Sequence, residues 1–327
     1  MKCILYLAIS ILPLFLLGTN ARAADAFVPV AECGITGIVE GGAGYQGGNV
    51  DFAGTKRDMS GNFLGFGEAA IGYGCVNWMA QLDGAFYYEG FSNNGVGVRR
   101  APSQVNGRDS QGHIGGAIFW RDPSVGRLGL AGSEILNNAH FDGLGPSGVD
   151  FGGSLTRLGA FGDFYASDAF TLGAGAFYVF GNPINNDFLG SGTYLSESGF
   201  EGNIHAKFYA TDNISFGLQG DIQRANLTSS GVVMPFNGLA GSAEVEYLVP
   251  DTALSVFLGG RVASRTLEAG TNVTLNDTQG YIGVKFAFGG PVGSLRARDR
   301  AGTYDNTSVF NEKLPGLGYD FINAATH

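Results

Sequence analysis

The chain has 327 residues and a formal net charge of −10, which excludes the basic footprint that nucleic-acid binding requires. Glycine supplies 55 residues and phenylalanine 25, and no apolar run beyond residue 23 is long enough for a transmembrane helix. The length fits one large β-domain or two ordinary ones.

The N-terminus reads as a secretory leader over residues 1–23. Lys2 supplies the positive start, Ile4 to Leu17 the apolar stretch, and Ala21-Arg22-Ala23 a small-x-small cleavage site. Removing Lys2 and Arg22 with the leader takes the net charge from −10 to −12. Residues 24–33 form a short N-terminal segment. Export leaves two cysteines, Cys33 and Cys75. In an oxidising compartment, two cysteines predict one disulfide and no metal site.

From residue 34 onward, two-faced segments recur. Candidate strands lie near 35–45, 63–74, 77–88, 112–121, 127–136, 152–165, 168–180, 199–210, 213–224, 239–249, 252–265 and 278–288. The clearest stretch is Phe200 to Asp221. There Phe200, Gly202, Ile204, Ala206 and Phe208 alternate with Glu201, Asn203, His205, Lys207 and Tyr209. A period of two sends successive side chains to opposite faces of the pleat. Each arm has the length of a tilted strand crossing a bilayer. In 127–136, Glu134 falls on the face of Leu128 and Leu130, which predicts a bulge or an early strand end.

The connections alternate in length. Short ones lie at Cys75-Val76, Arg121 to Gly126, Ser167, Thr211 to Asn213 and Pro250-Asp251. Longer ones lie at 46–62, 89–111, 137–151, 181–198, 225–238 and 266–277. Pro102, Pro123, Pro146, Pro183, Pro235, Pro250 and Pro291 are all expected in loops, in turns or just past a strand, where no ladder hydrogen bond is lost. By parity, Tyr73, Trp78, Trp120, Phe164, Phe170, Phe208, Phe216, Tyr247, Phe286 and Phe288 face outward near the short turns. Tyr45, Phe63, Phe86, Tyr88, Tyr178 and Phe180 do so near the long connections. Two aromatic belts mark two membrane interfaces. Residues 289–327 break the alternation at Gly289-Gly290-Pro291 and are expected to form a polar periplasmic tail, with the mixed-charge run Arg296 to Arg300.

With its leader, paired strands, asymmetric connections and last strand Tyr281 to Phe288, the chain resembles Gram-negative outer-membrane β-barrel proteins of the porin-like kind. The resemblance covers residues 34–288. It implies an all-β fold, a closed antiparallel transmembrane barrel of about twelve strands, in the outer membrane, with short periplasmic turns and long extracellular loops. It also implies partners in outer-membrane lipid, lipopolysaccharide and the barrel insertion machinery, which reads a terminal aromatic in the place of Phe288. It leaves the oligomeric state open.

Inward parity assigns the lumen the acids Glu40, Glu68, Asp83, Asp163, Glu201, Asp221, Glu244 and Glu246 and the bases Arg157, Lys207, Arg261, Arg265 and Lys285. Such a wall suits a water-filled path lined by both signs. It also suits a salt-bridged plug, given the bulk of inward Phe66, Tyr87, Phe119, Phe161, Tyr165, Phe177, Tyr209 and Tyr281. Arg261 and Arg265 lie on the strand beside Glu244 and Glu246 and are expected to pair with them in part. Arg99, Arg100 and Arg108 sit in a loop that could fold inward as a constriction, meet lipopolysaccharide phosphates or stay solvated.

His113, His140, His205 and His327 have no metal spacing, and His113 and His205 are expected to face the lumen as polar wall residues. Gly65 to Ala70 matches a dinucleotide fingerprint weakly, but inside a strand pattern with no helix after it. No cofactor, metal or catalytic residue is predicted. The leading expectation is a channel for passive diffusion of small hydrophilic solutes or ions. A closed structural or surface-interaction barrel acting through its loops is second. An outer-membrane hydrolase is third.

Overall fold

The computed structural model describes residues 33–52, 54–93, 105–142, 149–186, 193–229, 231–268 and 272–307. The leader and residues 24–32 lie outside them.

The strands are β1 (Gly34–Phe52), β2 (Thr55–Cys75), β3 (Trp78–Asn93), β4 (Val105–Asp122), β5 (Gly126–Asp142) and β6 (Val149–Ser167). They continue as β7 (Phe170–Asn186), β8 (Thr193–Tyr209), β9 (Ile214–Ser229), β10 (Val232–Leu248), β11 (Leu254–Glu268) and β12 (Asn272–Phe288). Among the described residues one helix follows, α1 (Leu295–Ala301). Each strand pairs with its chain neighbours, and β1 closes on β12 with Gly37 opposite Phe288 and Phe52 opposite Val273. Closure leaves no sheet edge and satisfies the backbone of every strand within the barrel, which is what allows strands to face lipid.

The alternation read in the sequence is the inside–outside alternation of this barrel. Phe200 and Ile204 are 67% and 68% exposed, while Glu201 and Asp221 are buried. Apolar side chains therefore cover the outer wall and polar ones line the interior, the inverse of a soluble core. The aromatics predicted to face outward do so at both ends of the band, Tyr73, Trp78, Phe164 and Phe286 at one and Tyr45, Phe63, Phe86 and Tyr178 at the other. The bulky inward set, Phe66, Tyr87, Phe119, Phe161, Tyr165, Phe177, Tyr209 and Tyr281, is buried.

The connections at one end are tight. Asp122 Oδ1 accepts from the Ser124 backbone at 2.9 Å, and Thr211 Oγ1 accepts from the Asn213 and Ile214 backbones. Such side chains take the place of ladder partners where the chain reverses. At the other end the strands continue far past the predicted bounds. β1 and β2 reach Phe52 and Thr55, leaving residues 53–54 between them, and β9 and β10 are separated by residues 230–231. Much of the sequence expected as loop is thus paired strand. The reason is physical: beyond the lipid band both faces of a sheet can be polar, so alternation vanishes while backbone pairing persists.

Three further differences follow. Pro183 and Pro235 lie within β7 and β10 instead of in loops. Pro183 falls at a register shift in which neither neighbouring strand pairs with it. Pro235 precedes the first β10–β11 pair, Phe236 with Leu267, so no bond to β11 is lost there. Pro102 and Pro146 lie outside the described residues. Glu134 brings neither a bulge nor a strand end, since β5 runs regularly to Asp142. Its carboxylate stays on the outer face and accepts from Thr156 Oγ1 at 2.7 Å.

The disulfide Cys33–Cys75 is present, with Cα atoms 4.1 Å apart. Gly34 pairs with Gly74, so antiparallel pairing of β1 and β2 brings both cysteines to the short-turn rim.

A charged lumen closed by the C-terminal segment

After Phe288 residues 289–307 turn back into the barrel, while residues 308–327 of the expected tail lie outside the described residues. Gly289 has φ +70° and packs so closely that a Cβ would overlap the Ile35 carbonyl. Only glycine fits a left-handed turn at that spacing. Ser294 then caps α1, its Oγ accepting from the Ala297 backbone at 3.4 Å. Leu295 is fully buried with Tyr209 and Leu248, and its N–H donates to the Asp212 carbonyl at 2.7 Å. These contacts hold α1 inside the short-turn mouth.

The last turn of α1 carries its charges into the wall. Arg298 forms an ion pair with Glu246 and donates to Ser255 Oγ at 3.1 Å. Lys207 Nζ sits 2.5 Å from Asp299 and 3.1 Å from Glu246, and Tyr209 donates to Asp299 at 3.2 Å. Burial would raise the Asp299 carboxyl, but Lys207 and Arg298 beside it hold it below its ordinary value. Arg300 lies over the Tyr165 ring at 4.5 Å and donates to the Ser167 carbonyl.

Residues 303–307 have no regular secondary structure and run along the inner wall of β3 to β6. Tyr304 stacks on Phe161 with ring centroids 3.5 Å apart and planes 7° from parallel. Its N–H donates to Gln81 Oε1 at 2.7 Å, and its carbonyl accepts from Gln81 Nε2 at 2.7 Å. The Asn306 side chain donates to Asp83 at 3.2 Å and to the Gly132 carbonyl at 3.1 Å. Gly115 makes this fit possible, since a Cβ there would lie 2.6 Å from Asp83 Oδ1 and 2.8 Å from Asn306 Nδ2.

Every described member of the predicted inward set faces the lumen. Glu40 meets Lys285 at 2.9 Å, and Glu68 accepts from the Tyr87 hydroxyl. Asp83 meets His113 at 2.5 Å. Asp163 binds Arg127 at 2.5 Å and His205 at 2.9 Å. Arg157 is 3.5 Å from Glu201 and lies over the Phe177 ring at 3.4 Å. Gln219 donates to Asp221 at 2.7 Å, and Tyr281 donates to Glu244 at 3.1 Å.

The expected pairing of Arg261 and Arg265 with Glu244 and Glu246 is not formed. Arg261 instead donates to Gln279 at 2.7 Å and lies over Tyr281, while Arg265 pairs with Asp277. All three partners come from β12, the opposite neighbour of β11. Glu246 is taken by Lys207 and Arg298.

Arg108 is not a constriction residue. It lies on β4, exposed and on the opposite parity to buried Asp109. Arg99, Arg100 and His327 lie outside the described residues, and the side chain of His140 does too.

Sequence reasoning missed the inward residues of the extended strands, Glu89, Asp109, Glu197 and Asp277, all buried. Carrying each strand's parity past the lipid band would have found them. It also missed Arg121 and Arg127, which were read only as the last and first residues of the strands either side of a turn. No periodic signal marks Tyr304 or Asn306.

Between this segment and the wall remains a cavity of about 260 Å³, bordered by Asp163, Asn203, His205, Gln219, Glu244 and Arg261. A second, of about 100 Å³, lies beside Glu40, Asp83 and His113. The wall that borders them offers donors and acceptors of both signs, a surface for water and ions. Above them, Leu64, Phe66, Tyr87, Phe257 and Tyr281 form an apolar cluster inside the barrel.

Comparison with solved structures shows the same architecture. An outer membrane channel from Pseudomonas putida F1 superposes with TM-score 0.50 at 11% identity, over 83% of this chain and all of that one. The translocator domain of autotransporter NalP from Neisseria meningitidis gives 0.46 at 13% identity, over 86% and 94% of the two chains. The Pseudomonas putida toluene transporter TodX gives 0.42 at 10%, over 80% and 90%. No protein-family model matches the chain, and no curated relative does. The chain has the fold of an outer-membrane β-barrel.

Proposed function

We propose that the protein is an outer-membrane channel for passive diffusion of small hydrophilic solutes or ions, closed in this state by its own C-terminal segment. One observation carries the reading: the charged inner wall keeps open volume beside an occluding segment that belongs to no strand. On this reading the leader over residues 1–23 is removed at export. Phe288 is the aromatic offered to the insertion machinery, and exposed Arg108 is available to lipopolysaccharide phosphates.

The test is planar-bilayer conductance of the full chain. Wild-type protein is expected to stay closed with brief openings, and Tyr304→Ala with Asn306→Ala to conduct steadily in KCl. If that variant inserts but carries no current, the channel reading is wrong. The cluster of Phe66, Tyr87, Phe257 and Tyr281, with rings about 6 Å apart, would then favour the closed structural barrel.

A further inference from the structure

Much of the wall's grip on the C-terminal segment falls on its main chain. Arg121 Nη1 donates to the Ala301 carbonyl, Arg127 Nη1 to the Thr303 carbonyl at 3.0 Å, and Arg157 Nη1 to the Asn306 carbonyl at 2.9 Å. Gln81 contributes a donor and an acceptor to one residue, Tyr304, as a neighbouring strand would. These side chains come from β3, β4, β5 and β6, which are consecutive in the barrel. They address successive points from the last residue of α1 into the irregular stretch after it, carbonyls that no helix or ladder bond satisfies.

Main-chain recognition carries no sequence information, because every peptide offers the same carbonyls. Selection comes from two further contacts. Phe161 provides a flat face for one aromatic ring, with Arg127 5.5 Å from the same ring centre. Two residues on, Asp83, the Gly132 carbonyl and Arg157 surround one carboxamide; Arg157 Nη1 also donates to Asn306 Oδ1 at 3.1 Å. Gly115 leaves the space that this carboxamide fills.

We propose that the short-turn half of the lumen is a peptide-binding site. It takes an extended segment by its main chain and selects an aromatic residue followed two positions later by asparagine. Tyr304-Asp305-Asn306 is its resident ligand. The chemical class of ligand is therefore an unfolded polypeptide segment, supplied here in cis and accepted equally in trans. The site adjoins the proposed channel, but its occupancy can be read without any current.

The experiment uses the full chain carrying Tyr304→Ala and Asn306→Ala, reconstituted in phospholipid vesicles and checked for barrel formation by heat-modifiable gel migration. A fluorescent synthetic peptide of residues 294–307 is titrated and followed by anisotropy. Saturable binding is expected, and about tenfold weaker binding to wild type, whose site is filled. A peptide with Ala in place of Tyr304 should bind about tenfold more weakly through loss of the stack. Gln81→Ala in the barrel should weaken the unmodified peptide by about tenfold through loss of the main-chain bonds.

A scrambled peptide that binds as well, or no saturable binding, overturns the proposal. So does indifference to Gln81→Ala. Hydrogen exchange on wild type is a second measurement that needs no variant. The Tyr304 amide, which donates to Gln81 Oε1, should be protected, and exchange there at the rate of an unstructured chain overturns the site. Peptide binding without conductance would uphold the site and refute the channel.

Discussion

Tyr304 is the residue on which closure turns. It is 5% exposed, stacks on Phe161 and shares two main-chain bonds with Gln81. Truncating a buried aromatic to Ala costs roughly 3–5 kcal/mol at a packed site, and here the loss falls on docking of the segment, not on the barrel. Tyr304→Ala is expected to raise single-channel open probability at least tenfold, while Tyr304→Phe, which keeps the ring, should stay near wild type. Asp299 adds a pH dependence. Its carboxyl is held below its ordinary value by Lys207 and Arg298 against the opposing effect of burial. The docked state therefore binds the proton less readily than the released state. Docking is complete above about pH 4, the ordinary carboxylate value, and weakens as pH falls through the lowered value in the docked segment. Conductance should rise on acidification below about pH 4, and Asp299→Asn should flatten that part of the profile. An unchanged acid limb in the variant would show that another carboxylate sets it.

Among the elements, β1 and α1 depend on ties outside the ladder. The Cys33–Cys75 bond closes a separation of 42 residues at the rim where β1 begins. In the chain-entropy model such a loop is worth about 4 kcal/mol, an upper value in practice. Cys33→Ser with Cys75→Ser should lower the gel-shift unfolding temperature of the folded barrel, with the twelve-strand fold retained because β1 still pairs on both sides. An unchanged transition would show that the ladder alone fixes the β1 terminus. For α1, the Glu246 carboxylate is shared by Lys207, Arg298 and Ser255. Removing one partner of a buried network leaves the others uncompensated, at roughly 3–5 kcal/mol. Glu246→Gln should therefore release α1, seen as trypsin cleavage after Arg296 or Arg298 in a chain whose strands remain protected.

For the whole molecule, the distribution of charge matters more than its sum. Toward the end away from the short turns, the wall buries Glu89, Asp109, Glu197 and Asp221, against Arg265 paired to Asp277. Arg121, Arg127 and Arg157 line the path of the C-terminal segment instead. Once the segment is released, the acidic vestibule should concentrate cations and give modest cation selectivity. In the Tyr304→Ala background, reversal potential in a KCl gradient should show this preference. Glu89→Gln with Asp109→Asn should reduce it, and anion selectivity would place control at the arginines.

What the sequence by itself determined is the pairing and the sidedness. From Phe200 to Asp221, alternation settled which side chains meet lipid and which meet the lumen, because a two-residue period and an oil–water contrast admit one assignment. The same logic located the short turns and the cysteine pair. It ran out where that contrast ends. Past the lipid band the contrast between faces is lost, to polar residues and glycines at Gln46 to Asn49 and to apolar residues on both faces at Leu227 to Met234, and strand looks like loop. Only the tertiary structure decided which inward charges pair: β11 lies between β10 and β12, and either side offered Arg261 and Arg265 a partner. Only it decided where Ser294 to Asn306 goes. That segment has no periodicity of its own, and its place is set by Gln81, Arg127, Arg157 and Phe161. These residues lie over a hundred positions earlier in the chain, and the side-by-side pairing of β3 to β6 gathers them along residues 303–306.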